Sequence, residues 1–169
     1  MFQYSQPFTP DFDWKDLVER GDVVKFRFPV AEEDASGEQP KLRPCLVLDV
    51  IKRGGETFVE VAYGTSSEGN ANRGYEVLVK QAVSRAAAGL DKPTRFVCAR
   101  RVIVHIDHQG FECDGVDSGP LLGRLDKTLL ERMNDIRARI QAEADFAADT
   151  RQERRREQVR RAIEDRSFR

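Results

Sequence analysis

Hydrophobic and polar positions first alternate, then merge into unbroken apolar runs, and finally recur at helical spacing. From Asp22 to Pro29 the side chains Val24, Phe26 and Phe28 fall on one side and Val23, Lys25 and Arg27 on the other, the period of a half-buried strand. Cys45 to Leu48 carries no polar alternation, which predicts a strand in the middle of a barrel or sandwich. That strand extends to Ile51 and passes through Arg53-Gly54-Gly55-Glu56, a hairpin turn, into a strand from Phe58 to Tyr63. A flexible loop spans Gly64 to Gly74, followed by a short strand from Tyr75 to Val79 and a small-residue segment, Gln81 to Leu90, that forms a helical turn or a loop. Arg95 to Ala99 and Arg101 to Ile106 read as two strands, or as one bent at the Arg pair. Six or seven short strands favour a small barrel.

Past Phe111 the period changes. Leu122, Leu125, Leu129, Met133, Ile136 and Ile140 recur at three- and four-residue steps, which predicts an amphipathic helix with Gly123 in its first turn and Asp126 as its N-cap. Beyond Ala148 the stripe thins to Val159, Ala162 and Ile163 among arginines, too little apolar surface for firm docking, so this part is expected to be frayed or partner-dependent. At the other end, Phe2, Tyr4, Phe8, Phe12 and Trp14 precede a short helix, Asp13 to Arg20, stopped by Gly21. Either this aromatic arm packs on the body or on a second copy, or Trp14 and Leu17 simply cap the core. The expected class is mainly β with α, a small barrel followed by a long C-terminal helix, divided into an arm (1–20), a barrel domain with its helix (21–141) and an Arg-rich helical extension (142–169).

Composition narrows the function classes. The 169 residues suffice for one domain with a core and an appendage. No apolar run approaches the roughly 20 residues of a membrane span, and the N-terminus lacks the pattern of a secretory signal. Cys45, Cys98 and Cys113 form no CxxC pair, and a reduced, cytoplasmic protein is expected. The net charge of −1 hides an asymmetry: residues 150–169 hold eight arginines against four acidic residues, which leaves 20 basic and 25 acidic residues elsewhere. A protein that wraps duplex nucleic acid is usually basic throughout, so any nucleic-acid contact here is local.

Candidate chemistry concentrates in Ser36 to Val50, SGEQPKLRPCLVLDV. The polar loop ends at Arg43-Pro44 and turns directly into the buried strand, so Glu38 and Arg43 sit at its lip with the Pro44 ring fixing the backbone. A solvated Glu and Arg beside a turn is the plainer reading of the same residues. His105 and His108, three apart on a strand and turn, point to opposite faces and make a poor metal pair. The sequence holds no glycine-rich phosphate loop and no GxSxG elbow.

In order, GDVVKFRF, GEQPKLRPCLVLDV, FVEVAYGTSS, RGYEVLV and LGRLDKTLLERMNDI resemble the MazF/PemK family of toxin–antitoxin endoribonucleases over about residues 20 to 141. The resemblance implies an SH3-like barrel with a C-terminal helix, a homodimer, a cognate antitoxin partner and single-stranded RNA as substrate. It implies cleavage by the ribose 2′-hydroxyl without metal or cofactor. Carried over by position, the catalytic Arg is Arg43, the catalytic Thr or Ser is Thr65 with Ser66 beside it, and the loop carboxylate is Glu38. Gln39 and Lys41 in the same loop, and Asn72 and Arg73 in the loop after Thr65, are the candidate RNA-binding residues; a plain connecting loop would carry the same polar residues. The runner-up function is a non-catalytic barrel of this fold that binds nucleic acid or a protein partner.

Overall fold

The computed structural model describes residues 13–30, 36, 37, 39–111 and 119–167. Its six strands are β1 (Asp22–Arg27), β2 (Leu42–Arg53), β3 (Glu56–Thr65), β4 (Glu76–Val79), β5 (Thr94–His105) and β6 (Leu121–Arg124). They form one antiparallel sheet, ordered β4-β5-β3-β2-β1-β6 and curled into a half-barrel. Its helices are α1 (Trp14–Leu17), α2 (Ala82–Ala87) and α3 (Lys127–Ser167).

Both faces of the sheet are covered, which is why β2 lacks alternation: Cys45, Leu46, Val47 and Leu48 are all fully buried. Leu46 and Leu48 join Val23, Ala62, Phe96 and the helix residues Met133 and Ile136 in one core cluster. Cys45 and Val47 join Val24, Phe26, Phe28, Val59 and Val61 in the other. The same two-sided cover buries Val23 as well as Val24, so β1 departs from simple half-burial at its start. Gly54 and Gly55 both adopt positive φ (61° and 83°), as a tight hairpin between strands of right-handed twist requires. The strand expected to bend at the Arg pair is the single strand β5: Tyr63 pairs with Val97 but Ala62 pairs with Arg101, so Cys98 to Arg100 bulge out of the ladder.

Other expectations are corrected. Leu122 and Gly123 belong to β6, not to the first turn of the helix, because Gly123 pairs with Val23 and its missing Cβ lets the backbone approach Ala87 and Ala88. Asp126 does cap the helix: its Oδ1 accepts the Leu129 N–H at 3.0 Å. A hydrogen bond from the Ser84 hydroxyl, with backbone N–H donors behind it, holds the Asp126 carboxyl below the usual range. The N-terminal helix is only Trp14–Leu17, and Leu17 is 48% exposed, so it caps nothing. Trp14 does pack on the body, its ring 5.1 Å from that of Phe111. Phe2, Tyr4, Phe8, Phe12 and Cys113 lie outside the described residues. Helix α3 runs to Ser167, so the helix continues through the Arg-rich extension, and its side chains there are almost all exposed.

Candidate active site

Two close approaches place Arg43 and Thr65 opposite each other. The β2–β3 ladder ends at the pair Cys45 and Tyr63, and Arg43 and Thr65 each lie two residues beyond that pair, on the same face by strand periodicity. Between them a Cβ on Gly64 would overlap the Pro44 carbonyl oxygen and stand 2.9 Å from the Phe96 ring, so glycine is what lets the strands meet there. On the other side of β2, Phe26 pairs with Arg43 and Lys25 with Pro44.

Arg43, Thr65 and Ser66 line one cavity of about 550 Å³, together with Lys25, Asp91 and Lys92. A second cavity of about 520 Å³ shares Thr65, Ser66, Ser67 and Thr94 with it and continues past Asn70 and Arg73 to Lys80 and Arg132. The two make a groove in which cations outnumber carboxylates. The Arg43 guanidinium carbon is 5.7 Å from the Tyr63 ring centroid, and that of Arg100, carried out on the β5 bulge, is 4.3 Å from it. Two guanidiniums therefore share one electron-rich ring. Thr65 Oγ1 accepts the Ser67 N–H at 3.1 Å, which shapes the turn and leaves the hydroxyl proton to donate elsewhere.

The remaining candidates are dispersed. Glu38 lies outside the described residues. Gln39 lines a different cavity, of about 520 Å³, with Arg27, Val102 and His108. Lys41 is exposed immediately before β2. Asn72 is half-buried and its carbonyl accepts the Tyr75 N–H at 3.0 Å, whereas Arg73 is exposed and its Nη2 donates to Asn70 Oδ1 at 3.0 Å. The structure thus joins Arg43, Thr65, Ser66 and Arg73 along one groove and sets Gln39 apart from it.

Nucleophilic thiol chemistry has no support at Cys45 or Cys98. Burial pushes both thiols up to about 12, so they are protonated core residues at neutral pH. His105 Nδ1 accepts the Asp107 N–H at 3.2 Å, and His108 Nδ1 accepts the Gly110 N–H at 2.9 Å while its ring packs on Phe26 at 5.5 Å. Both histidines organise the turn after β5. Among the described residues no group of three or more His, Cys, Asp or Glu side chains is placed to hold a metal ion.

Sequence reading overlooked Lys25, Lys92, Arg95 and Arg132. Each is one charged residue in an otherwise ordinary segment, and only strand register and the path of α3 bring them to the groove. Lys25 alone carried a signal, as a cation on the polar side of β1.

The family model for the PemK-like, MazF-like toxin of type II toxin–antitoxin systems matches residues 19–142, well over half of the chain. No curated protein gives a match. The matched region holds the whole sheet, both walls of the groove and the docked part of α3, and the chain belongs to the PemK-like, MazF-like toxin family of type II toxin–antitoxin systems.

Proposed function

We propose that this protein is the endoribonuclease of a toxin–antitoxin pair, cutting single-stranded RNA at short sequences without a metal ion. The observation that carries the reading is the convergence of Arg43 and Thr65 on one cavity that opens into a cation-rich groove. In such a reaction the substrate supplies its own nucleophile. The ribose 2′-oxygen loses its proton and attacks the adjacent phosphorus, the bond to the 5′-oxygen breaks, and that oxygen takes up a proton as it leaves. The products are a 2′,3′-cyclic phosphate and a 5′-hydroxyl. The protein's part is positioning and charge stabilisation.

Arg43 suits that part because its planar fork can hold two phosphate oxygens while negative charge builds on the phosphorane, and its pKa makes it a poor proton carrier. Thr65, with its oxygen already accepting from the Ser67 N–H, donates its hydroxyl proton to the same phosphate, and Ser66 lies next to it. Glu38 is the carboxylate that orients Arg43 or takes the 2′-proton. Lys25 and Lys92 hold neighbouring phosphates, and Arg73 and Asn72 meet bases in the loop beyond. The working form in this reading is a homodimer in the cytoplasm, held in check by a cognate antitoxin. The barrel with its docked helix, residues 21–141, is the catalytic unit, flanked by the arm 1–20 and the extension 142–169.

The test is incubation of purified protein with a long unstructured RNA in chelator, followed by mapping of both product ends. Cleavage at recurring short sequences with cyclic phosphate termini is expected. Activity that disappears in chelator and returns with magnesium would overturn the mechanism. Stoichiometric RNA binding with no cleavage under either condition would favour a non-catalytic binding barrel.

A further inference from the structure

The loop after Thr65 is rich in Ser, Gly and Asn and reads as flexible, yet one side chain pins its backbone. Arg95 lies on β5 directly across from Thr65 in the ladder. Its Nε donates to the Ser67 carbonyl at 2.7 Å, and its Nη1 donates both to the Gly69 carbonyl at 3.0 Å and to Glu76 Oε1 at 2.5 Å. The ion pair is largely withdrawn from water, with 16% of the Arg95 side chain and 9% of the Glu76 side chain exposed. Charge-assisted bonds gain strength in such surroundings, and only a rigid fork can reach two carbonyls and a carboxylate at once. Gly69 is part of the fit, since a Cβ there would stand 3.0 Å from Arg95 Nη2.

At its far end the loop is tied to helix α3. The Tyr75 hydroxyl donates to Glu143 at 2.9 Å and accepts from Arg139 Nη2 at 3.2 Å, with the Arg139 guanidinium carbon 4.5 Å from the ring centroid. Because Arg95 grips backbone carbonyls and not loop side chains, Ser66, Asn70 and Arg73 are left facing the groove.

We propose that Arg95 is a positioning residue that fixes the loop 66–74 against the groove and thereby sets both the placement of Thr65 and Ser66 and the RNA sequence admitted beside them. This rests on the endoribonuclease reading. Arg95 does not touch the reacting atoms; it removes the conformational freedom that this polar loop of about nine residues would otherwise lose on each encounter with RNA. Misplacement of a catalytic group by about 1 Å can cost on the order of 100-fold in rate.

The test compares wild-type protein with Arg95→Lys and Gly69→Ala. Lysine keeps a charge for Glu76 but gives up the two carbonyls together, and the alanine presses on the fork while leaving the ion pair in place. Amide exchange over residues 67–74, kcat and KM on one RNA, and the map of cleavage sites on a long RNA are measured. Faster exchange confined to the loop is expected in both variants, with kcat down about tenfold or more in Arg95→Lys. KM should change less, and cuts should appear at sequences the wild type spares. Unchanged loop exchange overturns the clamp. Faster exchange with wild-type kcat and an unaltered site map overturns its role in positioning and selection. Should Arg95→Lys fail to fold, Gly69→Ala decides between the same outcomes. A wild-type protein that cuts no RNA sinks the nuclease reading and this role with it, whereas a failure of Arg95 alone leaves an active wild type.

Discussion

Over its first four turns α3 presses Met133 and Ile136 into the sheet, with Leu129, Leu130 and Ile140 packed beside them. After Glu143 the same helix goes on for more than six turns with its side chains almost wholly in solvent: Phe146 is 76% exposed and Ile163 63%. Charge is handled differently in the two halves. In the docked half, Arg137 Nη2 reaches Asp49 Oδ2 on β2 at 2.9 Å, and Arg20 Nη2 holds the other carboxylate oxygen at 2.8 Å. In the free half, Arg161 pairs with Glu157 one turn away at 2.5 Å, a contact that supports the helix and nothing else. Local propensity and i,i+4 pairs sustain a helix, whereas only apolar burial and cross-element pairs attach it. The family match stops at residue 142, where that attachment ends.

The sharpest way to break this contrast is a charge in the docked half. Met133→Asp places a carboxylate where no solvent reaches, and a loss of about 4 kcal/mol or more is expected, read as a fall in the denaturation midpoint. A folded Met133→Asp variant of wild-type stability would mean that α3 is not held by its stripe.

Acid should also separate the halves. Burial raises the Asp49 carboxyl, but the hydrogen bond from Arg20 and the charges of Arg137 and Arg20 outweigh it, and the net shift is below the ordinary 3.8. A folded-state value below the unfolded one contributes stability at pH above about 4 that is lost as pH falls through the folded value. Asp49→Asn should therefore cost about 1–2 kcal/mol near neutrality, and the gap from wild type should close on acidification below pH 4. Glu157→Gln should cost no more than about 0.5 kcal/mol at neutral pH. Equal effects from the two variants would erase the distinction.

How far these features could be read from sequence depends on how local they are. The lip at Arg43-Pro44, the apolar β2 run and the Thr65-Ser66 pair were legible because each is a continuous motif. The stripe Leu129, Met133, Ile136 and Ile140 announced the docked helix, but the same spacing drew in Leu122, which only pairing with β1 could assign to a strand. The Asp49 links to Arg20 and Arg137, and the Arg95 grip on the 67–69 backbone, join residues far apart in sequence, and no periodicity encodes them. Glu38, Gln39 and Lys41 are neighbours in sequence, yet Gln39 lines another cavity together with Pro40, in the segment that precedes β2 and that no strand register governs.

The smallest effect is expected from removing most of the free half. Truncation after Asp149 takes away eight arginines and four acidic residues but none of the buried apolar residues, so the melting temperature should stay within about 4 °C. RNA binding by the truncated protein then tells what the arginines contact. A flatter salt dependence, by about 0.7 in log–log slope per lost phosphate contact, would assign them to RNA. An unchanged slope with weaker binding of a protein partner would assign them to that partner. A truncated chain that no longer folds would show the extension packs on the barrel.

Arg43 bears the proposed chemistry most directly, and the decisive measurement is the cleavage rate of Arg43→Lys on a defined single-stranded RNA, with folding checked by thermal melting. Lysine preserves the charge and loses the fork, so the rate should fall more than about tenfold, about 1.4 kcal/mol or more of barrier, while the melting temperature is retained. A folded Arg43→Lys variant that cuts at the wild-type rate would contradict the assignment and leave Arg43 as a surface charge above Tyr63.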